Sequence, residues 1–308
     1  MIEVNNLTRK YGEKVAVNKI SFSVEKGKIW GFLGPNGAGK TTTMRILTGY
    51  LPPTEGSAKV AGFDITKEPL KAKKHIGYLP EIPPLYNEMT VKGYVNFVAE
   101  LKGVPSKERK KAVSQAIEKA GLSTVAGRLI KNLSKGYRQR VGIAQAIVNN
   151  PDILILDEPT IGLDPAQIIE IRELIKSLKG EHTVILSTHI LPEVTQTCDG
   201  VVIINEGQLR ASGTLEEIQE KFSEESGIYL ETEPSPVVEE LRNIEGIKEV
   251  VSSEKGVKIF WEDEEKGNKN LNEFIRTKGL NINEWKRLTS TLEDIYLKIV
   301  ATDKGGVK

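Results

Sequence analysis

Gly34-Pro35-Asn36-Gly37-Ala38-Gly39-Lys40-Thr41 is a run of residue types that can hold a polyphosphate. It fits G-x-x-x-x-G-K-[ST] at every fixed position. Glycines let the backbone turn tightly and aim successive N–H groups inward at phosphate oxygens. A helix starting near Lys40 adds the partial positive charge of its N-terminus. Lys40 offers a point charge to the β- and γ-phosphates, and the Thr41 hydroxyl is a ligand for Mg²⁺. Such a pattern arises by chance in roughly one chain in a hundred of this length. A glycine-rich turn without a ligand is the plain alternative. The apolar run Ile29 to Leu33 before it and the helical pattern after it supply the context the motif needs.

A second group of residues suits the same chemistry. Ile153 to Leu156 is a buried-strand pattern ending in two carboxylates, Asp157 and Glu158. A strand-end Asp157 can hold Mg²⁺ through water, and Glu158 can then orient or deprotonate a water attacking the γ-phosphorus. Alone, the pair reads equally well as an acidic turn before Pro159. With a phosphate loop upstream, the functional reading is favoured. His189 closes a third apolar run, Val184 to Thr188, which can lie beside the Asp157 strand in a parallel sheet, where such sheets place ligands. His75 and His182 lack that context and read as structural. Tyr11, before Gly12, is either an aromatic platform for a base or an ordinary turn residue.

The elements that must position these residues follow from periodicity. Strand patterns at Ile2 to Leu7, Ile20 to Val24, Ile29 to Leu33, Ser57 to Val60, Ile153 to Leu156, Thr183 to Ser187 and Val201 to Asn205 alternate with helical ones, the mark of an α/β domain. Helical periodicities between about residues 82 and 149, broken near Gly103 and Gly121, interrupt that alternation and predict an inserted helical subdomain. The first domain is expected to span residues 1–222. Polar residues 223–226 and Pro234-Ser-Pro236 open a second unit, residues 223–303, whose β-α-β-β-α-β order predicts a small ferredoxin-like α+β domain. Leu292 to Val300 reads as a last amphipathic helix, and residues 304–308 as a frayed tail.

Composition narrows the class. The 308 residues exceed one compact core. With 43 basic and 42 acidic side chains the net charge is +1, so nothing calls for a nucleic acid or an anionic lipid surface as partner. The lone Cys198 has no internal disulfide mate, which fits a reducing cytoplasm. No apolar stretch approaches the ~18 residues of a spanning helix. The N-terminus opens on a strand pattern, so no signal peptide is expected.

Taken together the motifs resemble one family, the nucleotide-binding subunits of ABC transporters. Leu133-Ser134-Lys135-Gly136-Tyr137 is similar to the LSGGQ signature, and Ser134 stands 23 residues before Asp157. Gly162-Leu163-Asp164 matches the D-loop, His189 the H-loop histidine, Tyr11 the A-loop aromatic, and Gly77 to Glu81 the Q-loop region. The resemblance implies a P-loop NTPase fold, with a RecA-like core, an antiparallel β subdomain and a helical insertion. It implies ATP with Mg²⁺ as cofactors. ATP would sit on Tyr11 and Gly34 to Thr42 of one chain and under Ser134 and Gly136 of another. Thr41, Asp157 and Glu81 would face the metal, Glu158 and His189 would be catalytic, and Asp164 would serve the dimer contact. Its partners would be a second such subunit and separate transmembrane permease subunits, which places it on the cytoplasmic face of the membrane.

The closing segment, Leu288 to Tyr296, resembles the exporter branch that includes gliding-motility-type, sodium-efflux and drug-resistance ATPases, so export is the expected direction. Two departures stand out: Glu81 replaces the usual Gln, and Lys135 and Tyr137 replace Gly and Gln in the signature. Binding should survive, since Ser134 and Gly136 are retained. Pro83 to Tyr86 and Met89 are either a permease contact or an ordinary loop. The rival reading is a soluble ABC-type ATPase doing mechanical or regulatory work. One phosphate loop and no heptad array argue against its tandem and coiled-coil forms.

Overall fold

Alternating burial builds the first sheet. In β1 (Ile2–Tyr11) and β2 (Lys14–Val24), Ile2, Val4, Leu7, Val17, Ile20 and Val24 are buried, and most of their neighbours, Thr8 excepted, are more exposed. The two strands pair antiparallel, with Tyr11 opposite Lys14 across a turn at Gly12, whose φ of +57° suits glycine. The computed structural model describes residues 1–222, 227–253, 255–288 and 292–301. The junction at 223–226, residues 289–291 of the closing segment and the tail 304–308 lie outside the described residues.

β3 (Ile29–Leu33) is buried at all five positions and feeds the phosphate-type loop and then α1 (Lys40–Leu47). β4 (Glu55–Val60) and β5 (Phe63–Asp64) complete an antiparallel sheet in the order β2-β1-β4-β5. After α2 (Pro69–Lys74) comes β6 (Ile76–Leu79), and then the helical block of α3 (Val91–Leu101), α4 (Ser106–Lys119) and α5 (Lys135–Ile147). The breaks between these helices fall at Gly103 and Gly121, both at positive φ. β7 (Ile153–Asp157), α6 (Pro165–Ser177), β8 (Thr183–Thr188), α7 (Leu191–Thr197), β9 (Gly200–Asn205) and β10 (Gln208–Thr214) resume the alternation.

The main sheet runs β10-β9-β3-β8-β7-β6, parallel except for β10 at its edge. Its register matters for chemistry. Leu33 lies opposite Thr188, and Asp157 opposite Ser187, so the loops leaving β3, β7 and β8 emerge side by side. β6 and β10 carry little strand signal in the sequence. β6 is four residues long and includes Gly77, where a Cβ would collide with the Ala146 carbonyl of α5. β10 buries only Ala211 and Gly213. Among the described residues, no helix is long and apolar enough to cross a membrane.

The chain divides into two compact units, Met1–Leu215 and Glu216–Lys308. After α8 (Leu215–Phe222), the second unit holds β11 (Gly227–Glu233), α9 (Val238–Arg242), β12 (Ile247–Ser252), β13 (Val257–Trp261), α10 (Glu264–Lys278), β14 (Asn281–Leu288) and α11 (Leu292–Ala301). Its antiparallel sheet has the order β12-β13-β11-β14, the ferredoxin-like arrangement that the β-α-β-β-α-β sequence order demands. Ile228, Leu230, Leu241, Val250, Ile259, Trp261, Leu271 and Ile275 form its core. α10 starts on an Asp263 cap accepting from Lys266 N–H and stops at left-handed Gly279.

Candidate functional site

The loop after β3 is shaped by two close approaches. At Gly34 a Cβ would collide with the Ile204 carbonyl oxygen, and at Gly39, with φ +107°, it would press on Ala16 O. Gly39 is also the N-cap of α1, and it offers no side chain to the helix. α1 has neither a capping side chain nor an acidic residue in its first turn, whereas α3, α5 and α6 are capped by Thr90, Ser134 and Asp164. The first N–H groups of α1 are thus without a side-chain partner, an arrangement suited to an anion. Lys40 is buried, and its ammonium donates to Gly34 O (2.8 Å) and Pro35 O (3.2 Å).

Beside it, the ends of β7 and β8 gather carboxylates and hydroxyls. Lys40 Nζ lies 3.2 Å from Glu158 Oε1, and His189 Nδ1 lies 2.9 Å from Glu158 Oε2. A carboxylate only accepts, so the contact puts the hydrogen on Nδ1. Glu158 holds φ +48°, a left-handed conformation that costs a non-glycine residue about 1–3 kcal/mol. Its N–H donates to Ser187 Oγ (3.0 Å) and O (3.2 Å), which fixes the turn.

Asp157 Oδ1 accepts from Ser187 Oγ at 2.6 Å and Thr41 Oγ1 at 3.3 Å, while the buried Oδ2 has no partner. Burial pushes this carboxyl above the usual carboxylate range. The Ser187 and Thr41 hydroxyls pull it back, and the negative charges of Glu158 and Glu81 raise it further. A buried, unpartnered carboxylate oxygen next to a threonine hydroxyl and a second carboxylate is a donor set that fits a hard divalent cation such as Mg²⁺.

Tyr11, Gly37, Lys40, Thr41, Glu81 and Glu158 are among the residues lining one open cleft of about 660 Å³, with Asn36, Gly39 and Thr42. Tyr11 is 43% exposed and carries the Arg9 guanidinium over its ring at 4.9 Å. Gly34, Pro35 and Ala38 belong to the same loop without lining the cleft. Ser134, Gly136 and Asp164 are not brought to it either. Ser134 Oγ accepts from Tyr137 N at 3.4 Å, and Asp164 Oδ1 from Gln167 N at 2.9 Å. Those two motifs meet each other instead: Gly136 packs under Gln167, and Lys135 Nζ lies against Gly162. Glu81 also lines a second cleft of about 610 Å³ with Arg45, Lys73, Lys102 and the exposed Tyr50 and Ile82. Of the Pro83 to Met89 stretch, Tyr86 is 54% exposed yet stacks toward Tyr94 and Phe97.

Sequence reasoning passed over Ser187, Thr160, Thr188 and Glu193. Glu193, on α7, is 3% exposed, and both its oxygens are occupied. Thr160 Oγ1 donates to Oε1, and Thr188 Oγ1 donates to Oε2 at 2.6 Å. This one carboxylate therefore ties the segment just after Glu158 to the residue just before His189. The only sequence cue was a pair of hydroxyls, Ser187-Thr188, ending an otherwise apolar strand.

Known proteins resemble this chain over nearly its whole length. Residues 17–161 match the ABC transporter family, and residues 213–300 match the family described as "ATP-binding protein DrrA1-3-like, C-terminal domain". The chain is 33% identical over 301 residues to the ABC transporter ATP-binding protein YxlF of Bacillus subtilis (strain 168), covering 97% of this chain and 99% of that one. It is 32% identical over 302 residues to the bacitracin transport ATP-binding protein BcrA of Bacillus licheniformis, with 97% of each covered. Among solved structures it resembles a dimeric post-hydrolysis ATP-binding cassette bound to ADP and Pi, at 26% identity and TM-score 0.62, over 70% of this chain and 99% of that one.

Proposed function

The chain belongs to the ATP-binding proteins of ABC transporters, and on that premise we propose that it hydrolyses Mg²⁺-ATP as one of two paired cassettes and drives export through separate membrane subunits. The observation that carries the catalytic part is the Lys40–Glu158–His189 chain beside the unpartnered Asp157 Oδ2. Thr41, Asp157 and Glu81 would hold Mg²⁺, which when bound neutralises charge on the β- and γ-phosphates. The phosphates lie along Gly34 to Thr42 and the uncapped start of α1, with Tyr11 under the base. An arriving polyphosphate draws Lys40 away from Glu158. The freed carboxylate then takes a proton from a water whose oxygen bonds to the γ-phosphorus as the bond from that phosphorus to the bridging oxygen breaks, leaving ADP and phosphate. His189, holding its hydrogen on Nδ1 toward Glu158, keeps that carboxylate aimed.

Ser134 and Gly136 are remote from the cleft of their own chain, which suits a role over the ATP of a second cassette, with Asp164 at the same contact. A dimeric cassette among the similar structures supports that reading. The bacitracin transport relative supports movement of a substrate through permease subunits, the second cleft with Tyr50 and Ile82 being the contact. Attachment to the membrane would then come from those partners, at its cytoplasmic face.

Isothermal titration with Mg²⁺-ATP tests the core of the proposal. Lys40→Ala should lose detectable binding, and unchanged affinity would sink the phosphate-loop assignment. Sharing of the site is tested by mixing Lys40→Ala with Ser134→Arg. Each alone has one damaged half in every site, whereas a mixed dimer has one intact site. Partial recovery of ATPase near equal amounts is expected. A Ser134→Arg chain that hydrolyses normally by itself refutes the shared site.

A further inference from the structure

The outer edge of β14 is a surface the nucleotide chemistry leaves without a role. Among the described residues, in the order β12-β13-β11-β14 this strand has β11 as its only neighbour. At eight residues it is longer than most strands, it contains no proline, and residues 281–287 are all exposed. Ile282 and Trp285 remain 47% and 36% exposed. A long edge with outward N–H and C=O groups is a template for another strand.

The register with β11 sorts the side chains. Trp285 lies opposite buried Leu230 and Arg287 opposite buried Ile228, so both are on the helix-covered face, where Arg287 pairs with Glu264 of α10 at 2.9 Å. Glu284 and Lys286 lie opposite Glu231 and Tyr229 on the other face. Glu284 and Glu231 therefore stand directly opposite each other as like charges, a destabilising cross-strand pair. The Tyr229 hydroxyl donates to Glu231 Oε2 at 3.2 Å. Among the described residues neither glutamate forms an ion pair, and Lys286 forms none.

We infer that a second copy of this chain docks on this edge, its β14 running antiparallel to the first about a two-fold axis through Trp285. In that register each Glu284 faces the partner's Lys286 and the two Trp285 side chains meet, the bulge at Asn283 that sets Ile282 opposite buried Thr232 ending the regular pairing. The partner's Lys286 brings the missing cation to the Glu231–Glu284 pair. The register is selected by charge: moving the axis to either neighbouring residue sets Glu284 against Glu284, or Lys286 against Lys286. Two four-stranded sheets become one continuous eight-stranded sheet, and both edges are covered. The contact is separate from nucleotide-dependent pairing, so it is tested without nucleotide, and its failure leaves the ATPase reading standing.

The experiment is sedimentation velocity of the full chain in EDTA, over a concentration series, with thermal melts as a fold control. Wild type should show a reversible monomer–dimer equilibrium. Glu284→Lys and Lys286→Glu each place like charges across the axis twice and should raise the dissociation constant about tenfold or more. Glu284→Lys also relieves repulsion by Glu231 inside the monomer, so its loss of dimer cannot be put down to unfolding. The double variant Glu284→Lys/Lys286→Glu restores opposite charges in the same register and should regain the dimer. A wild type that is monomeric at every concentration, single variants that dimerise like wild type, or a folded double variant that stays monomeric would each overturn the proposal.

Discussion

The two compact units use similar layers of helix on sheet and treat polar groups in opposite ways. Among the described residues, the buried charged side chains Lys40, Asp157, Glu158 and Glu193 all lie in Met1–Leu215, and Thr232 is the one buried polar residue of the second unit. The cause is sheet type. β3, β7 and β8 are parallel and buried on both faces, so their polar residues can come only at the ends, where three loops converge. The antiparallel sheet of the second unit alternates, apolar toward its helices and charged toward the other face, and among the described residues none of its strands buries a charged side chain. A buried charge costs stability unless partnered. The first unit bears that cost at its candidate site. The second unit is built for packing.

Variants in the two units should therefore fail in different currencies, rate in one and stability in the other. The largest effect is expected at Glu158→Gln, which keeps shape and backbone but removes the proposed base. Phosphate release should fall about 10²–10⁴-fold while ATP binding persists. Turnover near wild type would move the base elsewhere and weaken the contrast. Trp261→Ala, in the core of the second unit, should cost about 3–5 kcal/mol in a denaturant melt. Its ATP KM should match wild type, since Trp261 belongs to the core of the other unit. A changed KM would mean that the units are not energetically separate.

Glu193→Gln removes the carboxylate that accepts from Thr160 and Thr188. It should lower kcat roughly 10–100-fold with KM for ATP unchanged, the mark of misplaced Glu158 and His189 rather than lost binding. A loss of thermal stability with normal kcat would make the bridge merely structural. The smallest expected effect is a gain. Asp157 holds its proton to higher pH in the folded chain than in the unfolded one, so from pH 3.8 upward through its raised value, folding stability without metal falls as pH rises. Asp157→Asn should remove that dependence and raise metal-free stability at neutral pH by about 1 kcal/mol, while abolishing hydrolysis. A less stable Asp157→Asn protein would show that the carboxylate is structural.

Legibility in the sequence followed periodicity and residue type. The glycine-lysine loop, the apolar strands ending in Asp157-Glu158 and His189, and the β-α-β-β-α-β order were readable because each is a local pattern. β6 and β10 were not, since Gly77 and the small residues of β10 are chosen for close approach rather than for strand preference. Glu193 was not either. Its meaning rests on Thr160, which is 33 residues away along the chain, and spacing of that kind leaves no trace in a periodicity.

What the sequence determined by itself was which groups are present and on what local scaffold: a turn only glycines can make, an uncapped helix start behind it, carboxylates and a histidine at strand ends. Only the tertiary structure decided which of them meet. The parallel register that sets Asp157 against Ser187, and Leu33 against Thr188, puts Lys40, Glu158 and His189 in one chain of contacts. It leaves Ser134, Gly136 and Asp164 outside that chain's cleft. The physical reason is that backbone pairing between distant strands fixes positions to within a hydrogen-bond length. Local propensity fixes only the conformation of each strand.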